Sequence, residues 1–154
     1  LPTLPIIDLV AAAGGFGADL LDLTDPDHAE QWLVWAEAPK DPGCFVAWVE
    51  GDSMVPLIPD GAWCIFRPTT LEALSHRPAL IRTDGLDASG GRFTVKHVRV
   101  TWGHDADGQL VRTKLTLASE NPAYADLEIP ASEGDEGRHV IAELVRVIGP
   151  NLPS

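Results

Sequence analysis

The sequence predicts a mainly β protein. Short hydrophobic runs of strand length recur along the chain, turn signals separate them, and helix signals are scarce. The runs are Cys44–Val49, Ala62–Arg67, Ala79–Thr83, Arg92–Val100, Leu110–Ala118 and His139–Ile148. Between them stand Pro59-Asp60-Gly61, Asp87-Ala88-Ser89-Gly90-Gly91 and Asp105-Ala106-Asp107-Gly108. Those residue types favour the backbone angles of tight turns.

Taken in order, residues 1–40 read as a less regular N-terminal arm and residues 41–154 as the β body. Within the arm, Asp25-Pro26 is suited to start a short helix running through Gln31-Trp32-Leu33, because proline fits a first helical turn. Pro39 would end it. In the body, Arg92–Val100 and Leu110–Ala118 flank an Asp/Gly-rich turn and read as a hairpin. Along the second arm Val111, Thr113, Leu115 and Leu117 fall on one face, with Arg112, Lys114 and Thr116 on the other. Such alternation marks a half-buried antiparallel strand.

With 154 residues, 45% hydrophobic and 22% charged, the chain is long enough to bury a core of its own. Leu9–Leu21 is broken by Gly14, Gly15, Gly17 and Asp19, so it is no membrane span, which needs about 20 apolar residues. Acidic residues outnumber basic ones 23 to 11, for a net charge of -12. That balance argues against direct nucleic-acid binding, which relies on Lys and Arg displacing counterions from phosphates. Cys44 and Cys64 sit in apolar runs and are expected to be buried free thiols in a reducing, cytoplasmic setting. No cofactor motif is present, and His104-Asp105-Ala106-Asp107 reads more simply as turn chemistry than as a metal site.

Two segments carry candidate chemistry. In Val49-Glu50-Gly51-Asp52-Ser53-Met54-Val55-Pro56 a strand runs into Gly51, and Ser53 follows two residues later. A glycine there permits a sharp turn that presents a hydroxyl and frees nearby backbone N–H groups, the donors an oxyanion needs. Such a turn also serves purely local hydrogen bonding. In Arg92–Val100, period-two alternation puts Lys96 on a face with Thr94, Val98 and Val100. A lysine stripped of water there loses preference for its charged form and becomes a general base. The competing reading is a stem on apolar surface with its head in water. The five histidines, at 28, 76, 97, 104 and 139, are scattered, and the Gly-x-Ser-x-Gly elbow is missing because Val55 holds its last position.

Gly51-Asp52-Ser53-Met54-Val55-Pro56 with Asp60-Gly61 resembles the nucleophile motif of the LexA-like peptidases, the family of LexA, UmuD and lambda-type repressors. Phe93–Val98 resembles the family's lysine strand, Leu117–Tyr124 its Asn-Pro-x-Tyr segment, and Val140–Gly149 its last strand. The blocks stand in the family's order across residues 44–149. Ala62-Trp63 after Asp60-Gly61 departs from the acid usual there.

The resemblance implies a β fold of short, strongly bent antiparallel strands and a Ser53–Lys96 dyad within or near hydrogen-bond reach. It implies an oxyanion held by the N–H groups of Asp52 and Ser53, with Gly51, Met54 and Pro56 shaping the turn. The same resemblance implies self-cleavage of an Ala-Gly bond upstream, which Ala13–Gly14 supplies. It further implies a homodimer through the final strand, a RecA filament as trigger, and a role in an SOS-type or phage-linked regulator. The alternative is a catalytically idle dimerisation or interaction domain that keeps the fold.

Overall fold

The computed structural model describes residues 2–9, 31–82, 93–130 and 140–153. In chain order its strands are β1 (Thr3–Ile7), β2 (Gln31–Val34), β3 (Phe45–Val49), β4 (Ala62–Pro68), β5 (Ala79–Arg82), β6 (Phe93–His104), β7 (Leu110–Ala118), β8 (Leu127–Pro130) and β9 (Val140–Gly149). They form one mixed sheet in the order β2-β1-β3-β4-β9-β5-β6-β7-β8. Among the described strands only the β1–β3 pair is parallel. The mainly β class and the hairpin read from the sequence are both present. Among the described residues no helix is long and apolar enough to cross a membrane.

The arm departs from expectation. Gln31–Val34, expected in a helix, is a strand antiparallel to β1, with Leu33 opposite Leu4. Both leucines are buried against Cys44, Val46 and Ile65. Burial of alternate residues outweighs the weak helix signal, because tertiary packing overrides propensity in so short a segment. Asp25 and Pro26 lie outside the described residues. β8 was not anticipated; its Ile129 is buried opposite Leu115.

β3 and β4 are buried on both faces. Phe45, Ala47, Cys64 and Phe66 face one core cluster with Met54, Ile58 and Leu80, while Val46 and Ile65 face another. Phe45 and Phe66 stack with ring centroids 5.8 Å apart. Each such large side chain contributes on the order of 1.5–3 kcal/mol by leaving water. Cys44 and Cys64 are buried free thiols, and burial pushes the Cys64 thiol up to about 12, so neither is poised to react.

β6 is shared between two partners. Phe93–Lys96 pairs with β5, and His97–His104 pairs with β7. Lys96 therefore sits where the strand passes from one neighbour to the other. The β6–β7 ladder has a bulge: Thr101 faces Lys114 and Trp102 faces Arg112, leaving Thr113 as the extra residue. The Thr113 hydroxyl donates to the Thr101 carbonyl at 3.1 Å. Its methyl leans over Gly103, where an added Cβ would lie 2.7 Å away; only glycine fits beneath it. The bulge interrupts the alternation expected in β7. Leu115 and Leu117 are buried as expected, but Thr116 is buried too.

Glu143 on β9 is the buried acid of the sheet, 3% exposed. Its carboxylate accepts from Arg67 at 2.5 and 3.2 Å and from the Ser75 hydroxyl and amide at 2.6 and 3.1 Å. Burial alone would raise its pKa, but the bonds from Ser75 and Arg67 outweigh this and hold it below the ordinary carboxylate value. A carboxyl lowered on folding stabilises fully above its unfolded pKa, about 4.3. That contribution disappears as pH falls through the folded value. Glu143→Gln is expected to cost roughly 1.5–3 kcal/mol at pH 7. The deficit relative to the parent should shrink below about pH 4, measured by denaturant unfolding at both pH values.

Candidate active site

The turn carrying Ser53 is fixed at both ends. Gly51 adopts φ 100°, in the left-handed region that favours glycine. Its N–H donates to the Asp60 carboxylate at 2.7 Å, and the Gly61 N–H donates to the Val49 carbonyl at 3.0 Å. The distal Asp60-Gly61 pair thus closes the loop that begins at Gly51. Between the ends, Met54 and Ile58 are 2% and 0% exposed and plug into the core. The Ile58 N–H donates to the Met54 carbonyl at 2.8 Å, and the Val55–Pro56 peptide is cis. Ser53 is left half-buried, one residue from the Met54 anchor.

A second segment, Ser119–Tyr124, lies across this turn. The Asn121 N–H donates to the Ser53 carbonyl at 2.9 Å, and the Asn121 side-chain amide donates to the Asp52 carbonyl at 3.0 Å. The Glu120 N–H reaches Met54 Sδ at 3.4 Å. The Tyr124 hydroxyl donates to the Asp52 carboxylate; that bond, with the negative charge it faces, pushes the phenol above its ordinary value. Asn121 also caps its own loop, accepting from the Ala123 N–H at 3.0 Å. Among the described residues, the N–H groups of Asp52 and Ser53 have no hydrogen-bond acceptor.

The same segment reaches Lys96. The ladder pairs His97 with Ala118, so the residue after β7, Ser119, continues the register opposite Lys96. The half-buried Lys96 places Nζ 2.8 Å from Ser119 Oγ, and 5.7 Å from the centre of the Tyr124 ring. Val98 and Val100, on the same face, pack against a core cluster, as the alternation implied. Among the described residues, Lys96 Nζ donates to Ser119 Oγ and not to Ser53 Oγ. On the opposite face His97 pairs with Glu120 at 2.5 Å.

The structure thus attaches Asp52, Ser53, Met54 and Lys96 to one short segment, while Gly51 is held by Asp60. Ala13 and Gly14 lie outside the described residues. Ser119, Asn121 and Tyr124 received no role from the sequence, where they appeared only within a matching block. An unbroken hairpin register would have pointed to Ala118 beside Lys96, so no signal in the sequence singled out Ser119. Asp105 accepts from the Asp107 and Gln109 N–H groups, both at 2.9 Å, which accounts for the nearby acidic residues as turn chemistry.

A β domain with a serine turn and a half-buried lysine held by one segment is a LexA-like, peptidase-type domain. The family model described as Peptidase S24-like matches residues 5–145, from β1 into β9, and the chain belongs to that family. No curated protein matches the chain closely enough to count as a relative.

Asn121→Ala removes the side-chain bond to Asp52 and the cap on Ala123. It is expected to lower stability by about 0.5–1.5 kcal/mol per bond lost. Hydrogen exchange at the Val55 and Ile58 amides should accelerate relative to amides in β3 and β4. Unchanged protection there would show that Asn121 does not hold the turn.

Proposed function

We propose that the domain is a serine autopeptidase in which Ser53 is the nucleophile, Lys96 the general base and Ala13–Gly14 the bond cut. The observation that carries this reading is the convergence of the Ser53 turn and Lys96 on Ser119–Tyr124, which ties two distant parts of the sequence to one place.

In the proposed reaction neutral Lys96 takes the proton of Ser53, whose oxygen attacks the Ala13 carbonyl. The unengaged N–H groups of Asp52 and Ser53 receive the developing oxyanion. Lys96 then protonates the Gly14 amine as the C–N bond breaks, and water hydrolyses the ester left on Ser53. Because the bond belongs to the same chain, tethering supplies the effective concentration that binding would otherwise have to provide. Met54, Gly51 and Pro56 shape the turn. Family membership supports a regulator of the stress-response or phage-linked kind, a cytoplasmic setting, and a RecA filament as trigger. A homodimer would use the final strand, β9: past Glu143 it is no longer paired with β5 and is paired with β4 alone among the described residues.

A second reading is favoured by one observation, the Lys96 hydrogen bond to Ser119 rather than to Ser53. In that reading the domain is an idle interaction module that keeps the family's fold. Mass spectrometry separates the two. Purified chain held at alkaline pH, or mixed with an activated RecA filament, should release a fragment beginning at Gly14. Release should accelerate from neutral pH toward about 10, as a lysine base requires. Ser53→Ala and Lys96→Ala should abolish it, and Gly14→Val should slow it. A Ser53-dependent cut elsewhere would keep the enzyme and discard only the bond; no Ser53-dependent fragment would leave the idle module. A rate peaking near neutral pH and dependent on His97 would remove Lys96 as base.

A further inference from the structure

The Lys96–Ser119 contact has no place in a two-residue mechanism, yet it is a short, direct bond to the lysine head, 2.8 Å. We infer that Ser119 is a positioning residue for Lys96, its hydroxyl fixing where the amine points and which protonation state it holds. The inference rests on the peptidase reading for its consequence, but not for its test.

Lysine carries a flexible stem with about 2 kcal/mol of rotamer entropy, so a half-buried lysine needs a fixed partner to present its lone pair in one direction. Ser119 is well placed to be that partner because its backbone is pinned from both sides. Ala118 before it is paired with His97 in the sheet. After it, the Glu120 and Asn121 N–H groups are bonded to Met54 Sδ and to the Ser53 carbonyl. The partner of the base is therefore carried on the scaffold that carries the nucleophile. A hydroxyl suits this position better than a carboxylate or amide. It accepts from an ammonium and, by rotating, donates to or accepts from a neutral amine. Contact thus survives the proton transfer that a carboxylate would oppose by holding the charged form.

Among the described residues, several charged and titratable groups on the surrounding elements have partners of their own. Tyr124 is bonded to Asp52, and Asp60 to the Gly51 N–H. His97 and Glu120 pair with each other. On β9, Glu143 is turned to Arg67 and Ser75. Ser119 presents a neutral hydroxyl to the lysine head, and the Tyr124 ring face flanks it at 5.7 Å.

The test uses the full chain with Ser53→Ala, which cannot cleave, and follows Lys96 Nζ through a pH titration by NMR. Adding Ser119→Ala should move the Lys96 midpoint to lower pH, since the ammonium loses an acceptor. Ser119→Thr should restore it. If the alanine variant does not fold, Ser119→Val against Ser119→Thr repeats the comparison, the two differing only in the hydroxyl. With Ser53 intact, Ser119→Ala should slow self-cleavage about ten- to a hundredfold, the scale of misplaced catalytic groups. The rising limb of its pH profile should move in the same direction as the titration. Identical Lys96 titrations with and without the Ser119 hydroxyl would overturn the inference. So would an unchanged cleavage rate and profile. If the parent shows no Ser53-dependent cleavage, the peptidase reading falls, and the titration still decides whether Ser119 governs Lys96.

Discussion

The register between β6 and β7 is the constraint on which the candidate site depends. Counted back from the Asp105–Gly108 turn without interruption, the ladder that pairs His104 with Leu110 would set Lys96 opposite Ala118. The extra residue at Thr113 moves every later pair by one, so that His97 meets Ala118 and Lys96 meets Ser119. A slip of one residue exchanges the faces of a strand. Here it replaces an alanine beside the lysine with a hydroxyl. The bulge needs room, and Gly103 supplies it beneath the Thr113 methyl. A small residue near the hairpin tip thus helps decide the surroundings of a lysine at the other end of the strand.

From that register the remainder of the site follows in a few steps. The chain leaves β7 at Ser119 and at once crosses the Ser53 turn, giving it two backbone donors and a side-chain amide. The turn is held beneath by Met54 and Ile58 in the core and closed at its base by Asp60. The N–H groups of Asp52 and Ser53, which would otherwise pair within a strand or helix, have no acceptor among the described residues. Rigid support of this kind is what a preorganised oxyanion site requires, because its donors must not reorient during reaction. Away from the site, the Glu143–Arg67–Ser75 network ties β9 to β4 and to the loop before β5. It stabilises the neighbours of the lysine strand without presenting an unpaired charge to it.

Much of this was legible in the sequence, for reasons that differ by residue. The body strands declared themselves because apolar alternation and Asp/Gly turns are local signals. Ser53 and Lys96 were legible as candidates because a glycine-led turn and a lysine on a valine-bearing face are also local. β2 was not, since Gln31–Val34 is short and draws its strand character from pairing with the distant β1. β8 is equally short and owes its place to Ile129 meeting Leu115. Ser119 escaped because a bulge leaves no mark in the alternation pattern until the partner strand is known. Asn121 and Tyr124 act on Asp52 and Ser53 across a long stretch of chain, a distance over which no periodicity speaks.

The central claim is that Ser53 and Lys96 share one working site, and it can be tested without any cleavage. In a Ser53→Cys variant the new thiol would be the exposed one, since Cys44 and Cys64 are buried. Its rate of alkylation against pH reports its ionisation. Beside the Lys96 ammonium the thiol should ionise below the ordinary value of about 8.5. Adding Lys96→Ala should return it toward that value. Profiles that coincide with and without the lysine would contradict the account.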